Sequence, residues 1–325
     1  MIQSCEGARR ESPREPAPAV RPAHYSTFVH DTILKRWKSL ASNEHPARSG
    51  EDIEALHDMR VASRRLRAAL SVFAPYLPAK RARQAAKRLR KLTRLLGASR
   101  EWDVHGEALA RLHAAAARPD ERAAIEHLLE LVDARRGHER SAMSEQLDEV
   151  DLEKLGDKLR WLAGHVRSAG LPDDLPHAAA AALQARSADA FARTPALRDS
   201  ERPEELHAMR VAVKRFRYAL ELLEPAFQAG YDELIRRAKE LQDILGRHHD
   251  HCLLEDMLTR TLSRLTEHGR ATLAAGLLGP IERLRAERHE RFREFVTATD
   301  GLSGERIAED VRVGLGLGAA AMAES

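Results

Sequence analysis

Leu56-His57-Asp58-Met59-Arg60-Val61-Ala62-Ser63-Arg64-Arg65-Leu66-Arg67-Ala68-Ala69-Leu70 returns 150 residues later as Leu206-His207-Ala208-Met209-Arg210-Val211-Ala212-Val213-Lys214-Arg215-Phe216-Arg217-Tyr218-Ala219-Leu220. Ten of the fifteen positions are identical, and Pro75 and Pro225 keep the same offset, so a duplicated unit is the first thing the sequence predicts. At about 100° per residue, His57, Arg60, Arg64 and Arg67 share one stripe of a helix, while Met59, Leu66, Leu70 and Phe73 lie opposite, beside Ala62 and Ala69. The second copy sets His207, Arg210, Lys214 and Arg217 against Met209, Phe216, Leu220 and Leu223, and Tyr218 joins its cationic stripe. Each copy is therefore a helix with one face for a core and one face of positive charge.

The stripes are expected to have no acidic partner at i+3 or i+4. Like charges at those spacings cost a few tenths of a kcal/mol per pair. A face that repels itself, built twice, points to an anion from outside the chain. The following segment strengthens this reading. From Leu56 to Arg94 there are twelve basic residues and one acidic residue, Asp58, whereas a solvated surface helix mixes signs. On the helix predicted from about Ala79 to Leu96, Lys80, Lys87, Lys91 and Arg94 are placed on one face, with Ala82, Leu89 and Leu96 opposite.

The chain has 325 residues, enough for one large or two medium domains. Aromatic residues make up only 4%, so Leu and Ala must fill the core, which suits packed helices. The net charge of +3 is small, so any anion site must arise from local segregation of charge. Cys5 and Cys252 make no disulfide framework, which fits a reducing cytoplasm. There is no signal-peptide pattern, and no apolar run approaches the roughly 18 residues of a membrane span.

Taken in order, residues 1–22 read as a disordered tail. Helices are predicted at about 26–42, 51–73, 79–96, 102–116, 119–147 and 151–168, with Asn43–Gly50 as a loop and Gly97 as a C-terminal cap. Gly170-Leu171-Pro172 and Leu175-Pro176 mark the boundary between a first repeat, about 23–170, and a second, about 171–300. Further helices follow at about 177–193, 204–223, 231–245, 250–267 and 271–297, with residues 301–325 as a flexible C-terminal tail. No segment alternates with period two, so the fold class predicted is all-α: two helical bundles from an internal duplication.

The paired Leu-His-x-Met-Arg-Val-x-x-(Arg/Lys)-Arg-(Leu/Phe)-Arg helices are each followed by a Leu-x-x-(Leu/Ile)-Leu-Gly segment, at Leu92–Gly97 and Leu241–Gly246. In these features the chain resembles the CHAD family (conserved histidine α-helical domain) over about residues 25–300. The resemblance implies two helical bundles related by a pseudo-two-fold axis. It also implies a basic surface or pore between them that binds inorganic polyphosphate, in several members at polyphosphate granules. Carried over by position, it points to His57, Arg60, Arg64, Arg67, His207, Arg210, Lys214 and Arg217 as polyphosphate-binding residues, and to Lys87 and Arg236 on the following helices. Glu101 departs from the Asp expected in the turn motif. Many relatives carry a triphosphate-processing domain with a Glu-x-Glu-x-Lys signature, which this sequence lacks, so a stand-alone binding module is expected.

The residue types suit that ligand. Polyphosphate has closely spaced charges and no bases, Arg offers a planar fork to phosphate oxygens, and Lys offers a mobile point charge. Single-strand nucleic-acid binders interleave aromatics with charge, and only Tyr218 does so here. Nucleic acid is the first alternative, a metal-dependent phosphohydrolase the second. His248, His249, His251 and Cys252 are adjacent in sequence, so a helix fans them around its axis and no metal site is expected. His57 and His207 have no neighbouring nucleophile, and no Gly-rich phosphate loop or HExxH pattern occurs, so no catalytic residue and no cofactor are expected. The histidines are expected to titrate with the ligand near pH 6.5, while Arg and Lys keep their charge.

Overall fold

The structure, a computed structural model, describes residues 25–49, 53–167, 174–192, 194 and 202–318. Among these residues all regular structure is helical. The helices are α1 (Tyr25–Ala41), α2 (Glu44–Ser49), α3 (Ile53–Val72), α4 (Ala79–Ala114), α5 (Pro119–Asp148), α6 (Leu152–Ala163), α7 (Leu175–Phe191), α8 (Pro203–Leu223), α9 (Tyr231–Glu267), α10 (Ala271–Ala298) and α11 (Gly304–Gly314). No described helix is long and apolar enough to cross a membrane.

Local chemistry sets several boundaries. The Asp151 carboxylate accepts the Lys154 N–H at 2.8 Å and starts α6, and Asp174 does the same for His177 at 2.9 Å and α7. α3 and α8 each give way to a 3-10 turn holding a proline, Ala74–Tyr76 and Glu224–Ala226. Gly230, in the left-handed region at φ 70°, precedes α9.

Four expectations are corrected. Asn43–Gly50 is not all loop: Glu44–Ser49 forms α2, and Arg48 donates to the carbonyls of Leu147 at 2.6 Å and Val150 at 3.1 Å. The second correction concerns Gly97 and Gly246, which cap nothing. Neither has positive φ, and α4 and α9 run through them for 36 and 37 residues. No proline follows closely on either glycine, and the apolar stripes continue through Leu109, Leu112, Leu254 and Leu258 into a second core, which outweighs the ~1 kcal/mol that an interior glycine costs. Third, α6 stops at Ala163, short of 168. Last, residues 304–314 are no tail but α11, capped by the Ser303 hydroxyl, which accepts from the Arg306 N–H at 3.1 Å. Ile307 and Val311, four apart, are buried against α7. The predicted tail at 1–22 and the boundary at Gly170–Pro172 lie outside the described residues.

Two apolar cores result. The larger joins α1, α3, α6, α7, α8 and α11 to the first halves of α4 and α9. The smaller lies where the far ends of α4 and α5 meet α9 and α10: Leu109, Ile125, Leu128, Leu258 and Leu277 are all nearly sealed from water. Each such side chain contributes roughly 1.5–3 kcal/mol by burial. Gly276 marks the tightest crossing in this distal arm, because a Cβ there would overlap the Asp120 backbone carbonyl. Packing partners recur along the chain: α3 touches α1 and α4, α8 touches α7 and α9, α4 packs on α5, α9 on α10, and α3 and α8 meet each other.

Candidate functional site

The repeated sequence produces a repeated environment. Residues 57–70 and 207–220 have the same burial class at every position: His57 and His207 exposed, Met59 and Met209 buried, Arg60, Arg64, Arg67 and their counterparts half-buried. The apolar faces belong to the larger core, with Leu66 0% and Phe216 2% exposed. The cationic faces are thereby aimed at the seam where α3 and α8 meet.

A cleft of about 790 Å³ opens at that seam. α3 supplies Arg64 and Arg67, and α4 supplies Arg83 and Arg90 over a floor of Ala82 and Ala86. α7 adds Arg186 and Asp189, and α8 adds Lys214, Arg215 and Tyr218. Among the described residues of the lining, Asp189 is the one carboxylate beside seven cations. The Arg64 guanidinium lies over the Tyr218 ring at 5.4 Å and the Arg217 guanidinium at 4.6 Å, so one aromatic ring serves a cation from each half.

Electrostatics register the crowding. Burial first, then Arg210, Arg64, Arg60 and Arg217, push the Lys214 ammonium down to about 7. Arg67 is lowered by burial and by Arg90, Arg215, Arg64 and Arg94. Arg210 is lowered by burial, with Asp250 opposing, and its buried Nε has no hydrogen-bond partner among the described residues. The expectation that lysine keeps its charge is thus corrected at Lys214, where water is withdrawn and four guanidiniums are near. Although its side chain is largely exposed, His207 lies below its usual value through partial desolvation and then Arg210 and Lys214. Its Nδ1 is 3.3 Å from Nδ1 of His249, which burial and the same cations push down to about 4. One ring of that pair must accept and so must be neutral.

The predicted residues do not all converge. Arg60, Arg64, Arg67, Arg210 and Lys214 gather at the seam. Arg217 also lies there, but the absence of acidic partners is corrected: Arg217 Nη1 donates to Glu221 at 2.5 Å and Nε to Gln242 at 2.8 Å. His57 is exposed at the start of α3. Lys87 is exposed, and the α4 face on the cleft carries Arg83 and Arg90 instead of the Lys80–Lys87–Lys91–Arg94 face. Arg236 lies elsewhere, lining a separate hollow with Leu302 and Arg306. It is held by Glu233 at 2.8 Å and Glu240 at 3.1 Å.

Arg186 and Arg215 were not among the predicted residues. Their signal was present: Arg36 and Arg186, like Arg65 and Arg215, stand 150 residues apart. Glu101 falls within α4, and its side chain is outside the described residues. Among the described residues no group of three or more His, Cys, Asp and Glu side chains converges on a point where a metal could sit.

Fold and site define a class: an all-helical protein whose two homologous-looking helices face each other across a cationic cleft. The CHAD domain model matches residues 32–259, well over half of the chain, and the chain belongs to the CHAD family. Uncharacterized proteins MT2285 and Rv2226 of Mycobacterium tuberculosis (strains CDC 1551 / Oshkosh and ATCC 25618 / H37Rv) are 27% identical over 295 residues. The match covers 89% of this chain and 54% of theirs, so the chain spans about half the length of these relatives. Among solved structures, the CHAD domain from the plant Ricinus communis superposes with a TM-score of 0.64 at 22% identity, covering 87% of this chain and 93% of that one. PptA from Streptomyces chartreusis gives 0.66 at 19% identity, covering 85% and 99%. At these identities the two structures speak for the fold.

Proposed function

We propose that this protein binds inorganic polyphosphate in the cleft between α3 and α8, without catalysis, as a cytoplasmic binding module able to associate with polyphosphate granules. The two halves are read as a duplicated pair about a pseudo-two-fold axis, a reading supported by the matching burial of 57–70 and 207–220 and by the recurring packing partners. The observation that carries the proposal is the crowding at Lys214: five cations from two helices share a half-buried space, with burial and four guanidiniums pressing on one ammonium. Such a cluster is stabilised by an anion that touches several cations at once, and a chain of phosphates does so with each link. The described cleft residues are cations, small and aliphatic side chains, a tyrosine, one carboxylate and Ser71, whose hydroxyl accepts from Arg186 and has no described general base beside it, which supports binding over turnover.

Nucleic acid is the reading to exclude. Tyr218 is already faced by Arg64 and Arg217, which favours a ligand that needs no stacking surface for bases. Titration with polyphosphates of defined length, in competition with single-stranded RNA at equal phosphate concentration, tests the proposal. The expected result is tighter binding of polyphosphate, weakening steeply with salt as counterions are released. Preference for RNA, or affinity indifferent to salt, would overturn it.

A further inference from the structure

The 150-residue offset lets the two sides of the α3–α8 seam be compared position by position. Arg36 on α1 corresponds to Arg186 on α7, Arg65 to Arg215, and Arg67 to Arg217. The cations are alike on both sides, but the residue among them is not: Ser71 corresponds to Glu221.

Glu221 occupies its side of the seam as an anion would. Its carboxylate accepts from Arg217 at 2.5 Å, lies 3.9 Å from Arg65, and attracts Arg36. It is only 17% exposed, so this charge is well desolvated and shared among three guanidiniums. On the other side Arg186 donates to the Ser71 hydroxyl, at 3.5 Å, and to its own helix carbonyl at Ala182, at 2.8 Å, and lies near the buried Tyr25 hydroxyl, so its described partners are neutral groups. A carboxylate on that side, Asp189, is 3.9 Å from Arg215, and both are more than half exposed.

The flanking helices differ in the same direction. Ala82–Gly97 of α4 carries six basic residues and no acidic one, whereas the corresponding Tyr231–Gly246 of α9 carries three basic and four acidic residues. The described cleft lies on the α4 side.

We infer that the cleft takes its anion from one side only, along α3, α4 and α7, and that Glu221 is a resident counter-anion closing the α1–α8–α9 side to ligand. This rests on the polyphosphate reading and adds the path. The chain passes Arg83 and Arg90, runs between Arg67 and Arg186, and reaches the shared centre at Arg64 and Lys214. Beyond Tyr218 it meets a carboxylate already holding the next cations.

Three variants test this by titration with inorganic polyphosphate of defined length at several salt concentrations, each checked for fold by circular dichroism. Arg67→Gln with Arg186→Gln is expected to lose about 30-fold or more in affinity and to flatten the salt slope by one to two. Arg36→Gln with Arg65→Gln, on the closed side, is expected to stay within about 3-fold of wild type. Glu221→Gln frees cations for ligand and is expected to tighten binding by about 3- to 10-fold, with a steeper salt slope. Equal losses from the two double variants, or a folded Glu221→Gln protein with unchanged affinity and slope, would overturn the inference and leave the function standing. If Glu221→Gln does not fold, the two double variants decide alone. No binding by the wild-type protein would remove the proposed function and this path with it.

Discussion

The distal arm and the central cleft use arginine in opposite ways. In the arm, arginines of α10 find carboxylates on other helices. Arg283 of α10 donates to Glu121 of α5, whose side chain is 4% exposed, and Glu255 of α9 accepts from Arg285 at 2.7 Å and Arg288 at 3.1 Å. In the cleft, Arg64, Arg67 and Lys214 press on one another and share little negative charge. The same side chain that ties helices together in one region stores repulsion in the other. Stability and binding should therefore respond to charge removal with opposite signs in the two places.

The strongest way to break that contrast is at the centre of the cleft. Arg64→Gln with Lys214→Gln should cost about 3 kcal/mol of polyphosphate affinity, on the order of 100-fold, since each charge-assisted contact contributes ~1.5–3 kcal/mol. Isothermal titration reads this directly, and a loss below about threefold would place the anion elsewhere. Next in size is Arg283→Gln in the arm, which leaves the Glu121 carboxylate buried without its cation. It should lower unfolding stability by ~1–3 kcal/mol in urea titrations and leave polyphosphate affinity unchanged.

A smaller effect follows from Lys214 and sharpens the comparison through pH. Its folded-state value of about 7 lies below its ordinary 10.5. Between those values the unfolded chain holds a proton that the folded chain has released, so the stability of the free protein should rise with pH from about 7 towards 10. Lys214→Met should remove that rise. A bound polyanion favours the ammonium, so binding near pH 7 should take up a proton and weaken as pH rises. Calorimetry in buffers of different ionisation enthalpy would register the uptake, and a heat independent of buffer would contradict it. The smallest effect is Arg67→Gln: relief of like charge should stabilise the free protein by a few tenths of a kcal/mol, where arm arginines destabilise on removal.

How far all this could be read from the sequence follows from the range of each interaction. Met59, Leu66, Leu70 and Phe73 are buried as their spacing requires, because helical periodicity is a local property. The cationic stripe was legible for the same reason. Arg236 was misplaced because the offset fixes a position on a helix and not its neighbours, although Glu233 and Glu240 stood three and four residues away. Glu221 lies one residue beyond the second copy, four places after Arg217, and its role appears only when Arg65 is brought to it across the seam. Arg186 belongs to α7; the offset from Arg36 marks it in the sequence, but tertiary packing is what carries it to the cleft. The passage of α4 and α9 through their glycines was hidden because the second core that rewards it is built from both halves.

That shared arm has a consequence in time. Ile125 and Leu277 belong to one small core, yet 152 residues of chain separate them. At about 5–20 residues per second, a ribosome needs roughly 8–30 s to supply the second after the first. Throughout that interval the far ends of α4 and α5 exist with their apolar faces uncovered. The first half therefore cannot complete itself as it emerges. Its arm must wait, shielded or at risk of self-association, until α9 and α10 arrive to close it.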